Sequence, residues 1–150
     1  MRVGRLSLSM KPSDELHPSA RKSNASFSAE FRQRTRNFAI RVLKLGDSLP
    51  TPLSAQVVGR QSVRSATSVA ANYRAACRAR SDREFAAKLH IALEEADESE
   101  LWLELLEDAE VVQPNRLQSL HTECGEIVAI LATSERTARQ RNQKAGLKPS

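Results

Sequence analysis

Apolar residues recur at steps of three and four in four separate stretches of the chain, and polar or helix-breaking residues divide them. That spacing puts apolar side chains on one face of an α-helix. From Ser28 to Ser48 the stripe is Phe31, Phe38, Val42 and Leu45, and it ends at GDSLPTP, where Gly46 and two prolines interrupt it. A second helix is predicted from Pro52 to about Ala79. Thr51 can cap it, and Pro52 suits the first helical position because it has no N–H to leave unpaired. Its seam of Val63, Ala66, Ala70, Tyr73 and Cys77 is mostly small and lets a neighbouring helix come close. The third helix starts at SDRE, where Ser81 and Glu84 have capping-box spacing. Phe85, Leu89, Ala92, Ala96, Ser99, Leu103 and Leu106 form its stripe, and Leu93, Leu101, Trp102 and Leu105 widen it. A helix apolar on more than one face touches more than one neighbour, either within a bundle or, through Trp102, in another subunit. The fourth helix is predicted from Pro114 to about Arg141 on Leu117, Leu120, Ile127, Val128 and Leu131. Short connections make consecutive helices antiparallel neighbours. The expected fold is all-α, an antiparallel up-down-up-down four-helix bundle.

Composition agrees with this pattern. The 150 residues suit one domain, hydrophobic residues make up 40% and aromatics 4%, and only five are glycine. Alanine, leucine, glutamate and arginine dominate the periodic region, and these side chains lose little freedom in a helix. Residues 1–25 are rich in Ser, Lys, Arg and Pro without a period, so a disordered basic tail is expected there. The bundle should span 26–141, with a second disordered tail over 142–150. No apolar run reaches the roughly 18 residues of a membrane span, and the N-terminal stretch lacks that of a signal peptide. Cys77 and Cys124 have no metal-ligand spacing and read as packed free thiols. A cytoplasmic protein without a membrane partner is expected.

Candidate chemistry is thin. A di-iron bundle needs Glu-x-x-His on two helices, and that motif does not occur. His90 and Glu94 share a helix face, but no second histidine joins them. His121 and Cys124 also share a face, without a third group to orient them. A Gly-rich phosphate loop is missing too. No enzyme activity, metal or cofactor is expected.

The charges say more. Glu94 to Glu110 holds nine of the 18 acids and no base, while the rest of the chain sets 23 bases against nine acids. The net charge of +5 therefore hides two opposed fields. Arg32 and Arg36 on the first helix, and Arg60, Arg64, Arg74, Arg78 and Arg80 on the second and its following turn, are candidate phosphate ligands. Glu94, Glu95, Glu98 and Trp102 are candidate subunit contacts, because opposed fields orient partners. The alternative is an ordinary solvated surface whose ion pairs are each worth at most about 1 kcal/mol. Within TSVAANYRAACRAR, Asn72 lies beside the apolar seam and needs a hydrogen-bond partner, expected on an adjacent helix.

The stretch from Arg64 to Leu106 resembles a family of four-helix bundles that includes proteins encoded in intervening sequences of bacterial large-subunit ribosomal RNA genes. Arg64, Ser68, Val69 and Asn72 carry the likeness, followed by a basic turn and SDREFAAKLHIALEEADE. It covers roughly Phe27 to Arg139. The family commonly reads Asn-Ile-Ala-Glu-Gly where this chain has Asn72-Tyr-Arg-Ala-Ala76. Ala75 thus replaces a carboxylate and Arg74 adds a charge. The resemblance implies a non-enzymatic bundle. From relatives that serve diversity-generating retroelements it implies a homo-oligomer, a pentamer, that meets RNA or DNA and a reverse transcriptase. Two functions follow as expectations. One is a homo-oligomer that binds nucleic acid, or a nucleic-acid-handling protein, through an arginine-rich face. The other is a purely structural or protein-interaction module with no nucleic-acid binding.

Overall fold

The computed structural model describes residues 18–147. Four helices, α1 (Pro18–Asp47), α2 (Leu53–Cys77), α3 (Asp82–Asp108) and α4 (Pro114–Gly146), follow one another. Each packs on its sequence neighbour and α4 returns to α1, so the bundle runs up, down, up, down. The α1–α4 seam is much the thinnest.

The core is the predicted one in outline. Phe31, Phe38, Val42 and Leu45 of α1 meet Val69 and Tyr73 of α2, Leu89, Leu103 and Leu106 of α3, and Leu117, Ile127 and Leu131 of α4. Aromatics are few, so one contact stands out: the Phe31 and Tyr73 rings meet edge to face, with centroids 4.6 Å apart. Small residues bring α2 and α3 together. Ser62, Ser65 and Ala66 are buried, and Ser99 Oγ of α3 lies 2.8 Å from Ser65 Oγ, while the buried Gly59 faces Leu49 of the α1–α2 connection. Serine suits this seam because its hydroxyl can be satisfied locally. Ser65 donates to the Ser62 carbonyl, and Ser99 Oγ lies 2.8 Å from the Glu95 carbonyl.

Several expectations change. Ala70 and Cys77 are only half-buried, because the buried line of α2 runs through Val69, Tyr73 and Ala76 instead. Asn72 does not reach a neighbouring helix. Its amide donates to the Ser68 carbonyl (2.9 Å) and lies 3.1 Å from Ser68 Oγ, so α2 satisfies it internally. Thr51 does not cap α2: Pro52 holds the cap position, without a side-chain hydrogen bond. Ser81 does cap α3, accepting from the Glu84 N–H, while the Glu84 carboxylate accepts from Arg80 N–H rather than from Ser81.

The tails are shorter than expected. α1 already begins at Pro18, a residue suited to the first turn, and α4 continues to Gly146. Apolar periodicity reports where a helix is buried, not where it ends. RQRNQKA is made of good or tolerable helix formers with nothing to break them before Gly146. The parts of the predicted tails at 1–17 and 148–150 lie outside the described residues.

Candidate nucleic-acid interface

Antiparallel packing sets which arginines can meet. The Phe31–Tyr73 contact fixes the register of α1 on α2, and the residues that follow, Arg32 and Arg74, flank the same level. Arg36 lies one turn along α1 and Arg78 one turn along α2. The four line one open groove of about 390 Å³ between the helices, with Gln33 beside them. Its remaining walls are Ala29, Ala70 and Ala71. Methyl side chains leave room for a ligand near the backbone, while long guanidinium arms flank it. Among the described residues, none of these four arginines pairs with a carboxylate. Ala70 was expected in the core, and its place in this groove explains why it is half-buried.

The other predicted arginines divide. Arg80 sits past the end of α2, lining a second depression with Ala25, Cys77 and Phe85. Arg60 lines a different one, beside Asp47 and Leu49. It is 14 residues before Arg74, about 21 Å along the helix axis. Arg64 is engaged within the chain: its guanidinium reaches Glu95 (3.0 Å) and Glu98 of α3, which hold its pKa raised. The Glu98 hydrogen bond is the largest contribution. Glu95 and Glu98, expected to face another subunit, therefore also serve the α2–α3 seam. Glu94 pairs with His90 at 3.2 Å. Trp102 is half-buried, and its indole N–H is buried without a partner.

Arg34, not among the arginines singled out from the sequence, makes the main polar link across the α1–α4 seam. Its Nε donates to Glu123 at 2.7 Å, and its Nη2 meets Glu126. Spacing could have suggested this, because Glu123 and Glu126 stand three apart on one face of α4. The partner helix could not be read from it.

An apolar strip runs beside the Arg64 link. Leu53 and Val57 of α2, and Leu101 and Leu105 of α3, are exposed. Ser65–Ser99 fixes an antiparallel register that brings Val57 to the level of Glu107, about half a turn from Leu105. Among the described residues no group of histidines, cysteines and carboxylates could hold a metal ion, and no helix is long and apolar enough to cross a membrane.

Residues 28–133 match the family model of the 23S rRNA-intervening sequence protein. Among solved structures, the chain is similar to a protein of unknown function from the S23 ribosomal protein family of Bacteroides thetaiotaomicron. The two are 34% identical with a TM-score of 0.68, over 73% of this chain and 97% of that one. No curated protein matches.

Proposed function

The chain belongs to the 23S rRNA-intervening sequence protein family, and from that premise we propose that it is a non-enzymatic homo-oligomer that binds nucleic acid through the α1–α2 groove. The observation that carries this reading is the convergence of Arg32, Arg36, Arg74 and Arg78, unpaired among the described residues, on one alanine-walled groove. Four like charges side by side repel one another, and a phosphodiester backbone relieves that repulsion while releasing its own counterions. Arg60 and Arg64 play no direct part, the first by distance and the second because Glu95 and Glu98 hold it.

Self-association rests on separate ground. Leu53, Val57, Leu101 and Leu105 form an exposed apolar strip, and Trp102 beside it keeps a buried N–H without a partner. Contact between copies would cover the strip. Copies so joined repeat the groove and add their phosphate contacts.

Fluorescence anisotropy with a labelled oligonucleotide at low salt tests the main reading. The Arg74→Ala/Arg78→Ala double variant should bind at least ten-fold more weakly than the unmodified protein. Both substitutions are at exposed positions, so the fold should survive them. Equal affinity of the two proteins, or no binding by either, refutes the groove.

A further inference from the structure

At the same end of the bundle, α1 and α4 stand apart over a second concavity of about 310 Å³, at the small end of the range for ligand sites. Tyr73, Phe85 and Leu89 line its inner side, and Phe27 of α1 stands among them. Phe27 is 49% exposed, although it is one of the chain's four phenylalanines. Its ring lies within 7° of parallel to that of Phe31, with centroids 6.0 Å apart. A core residue backs this ring and leaves much of it open to solvent. Asp82 and Arg141 also line the cleft, as do Ser134 and Thr137, the latter with its hydroxyl donating to the Thr133 carbonyl at 3.0 Å.

The cleft and the arginine groove lie on either side of the depression beside Arg80. The depression beside Arg80 shares Ser28, Asp82 and Phe85 with the cleft. It also includes Ala25 and Cys77, one turn from Ala29 and next to Arg78 in the groove. Guanidinium groups thus line a path from Arg36 past Arg78 and Arg80 to Arg141, and the path ends at an aromatic cavity.

We infer that the cleft takes an unpaired base of a single-stranded nucleic acid whose phosphates lie along the groove. The inference rests on the groove reading above and names the ligand class. Asp82, in the first turn of α3, and Arg141 put a carboxylate and a guanidinium at the rim of the cleft, and a heterocyclic base presents both donors and acceptors at its edge to meet them. Its flat face suits the half-exposed Phe27 ring, and stacking of this kind tolerates any base. A duplex keeps its bases stacked inside and has none to offer.

The test uses the full chain and a labelled 12-nucleotide strand, in RNA and DNA form, alone and annealed to its complement. Phe27→Ala should weaken single-strand binding roughly ten-fold and leave duplex binding unchanged. Phe27→Trp should restore it. A strand of equal length made abasic throughout should bind the unmodified protein as weakly as the normal strand binds Phe27→Ala. Single-strand affinity unchanged by Phe27→Ala, while Arg74→Ala/Arg78→Ala weakens it, overturns the cleft and leaves the groove standing. Absence of all binding at low salt overturns both. A lower thermal midpoint for Phe27→Ala, with Phe27→Trp failing to restore affinity, assigns Phe27 to packing and refutes base stacking.

Discussion

Tyr73 is the chain's one tyrosine, so its titration can be followed without interference from another phenol. Burial beside Phe31 pushes the phenol up to about 12, with the neighbouring Cys77 adding to the effect. An unfolded tyrosine ionises near pH 10. Because the folded value is the higher one, the unfolded chain loses its proton first as pH rises. Tyr73 therefore supports the fold fully below about pH 10, and this support is lost progressively as pH rises through about 12. Tyrosinate absorbance of the native protein should rise with a midpoint near 12, and in denaturant near 10. A native midpoint near the unfolded value would mean that the ring is wetter than its contacts indicate. Cys124 is likewise pushed up to about 12 by burial, consistent with its predicted role as a packed thiol. Sequence revealed most of the buried residues of α1 and α3, because large apolar side chains anchor their stripes, although Thr35 and Ala39 are buried as well and Phe85 is only half-buried. It was less informative on α2, where alanine and serine fit a tight seam and an open groove equally well. Ala66 and Ala70 differ in burial, although nothing in their chemistry does.

Helix ends carry much of what remains local. α3 closes with a pair of backbone bonds, from Val111 N–H to the Leu106 carbonyl (3.0 Å) and from Glu110 N–H to the Glu107 carbonyl (2.9 Å). This is a Schellman motif, and it puts Glu110 in the left-handed region at φ 56°. A side chain with a Cβ costs about 1–2 kcal/mol in that conformation, which glycine adopts freely. The carboxylate also sits at the negative end of the α3 dipole, after a last turn without any base. Glu110→Gly should therefore stabilise the protein by about 1 kcal/mol, read as a higher urea midpoint at unchanged slope. A lower midpoint would show that the Glu110 side chain makes a stabilising contact. The four helices, their order and the Ser81 cap were legible because period and capping chemistry are local. The ends of α1 and α4 were not, since helix propensity carries each beyond the residues that the core marks.

For the whole molecule, the bundle turns the segregation of charge along the sequence into a polarity along its axis. The end of α2, the start of α3 and the end of α4 share one pole, which gathers Arg74, Arg78, Arg80, Arg83, Arg139, Arg141 and Lys144. The second half of α3 carries Glu100, Glu104, Glu107 and Asp108 to the opposite pole. Antiparallel neighbours were legible in the sequence, and with them this polarity. Which arginines remain free was not, because that depends on side-chain reach across helices: Arg64 meets Glu95 and Glu98, while Arg74 and Arg78, on the same helix, meet no carboxylate among the described residues. Free and engaged arginines should differ in how binding responds to salt. If Arg32, Arg36, Arg74 and Arg78 each neutralise one phosphate of a single strand, the logarithm of the affinity should fall against that of salt concentration with a slope of about −3 per groove. Arg74→Ala/Arg78→Ala should reduce the slope to about −1.5. Arg64→Ala should leave the slope unchanged and instead destabilise the α2–α3 seam, lowering the thermal midpoint slightly because its ion pairs are partly exposed. Anisotropy titrations over a series of salt concentrations measure all three slopes. A change of slope in Arg64→Ala equal to that from one groove arginine would place the phosphate path on the α2–α3 face instead of between α1 and α2.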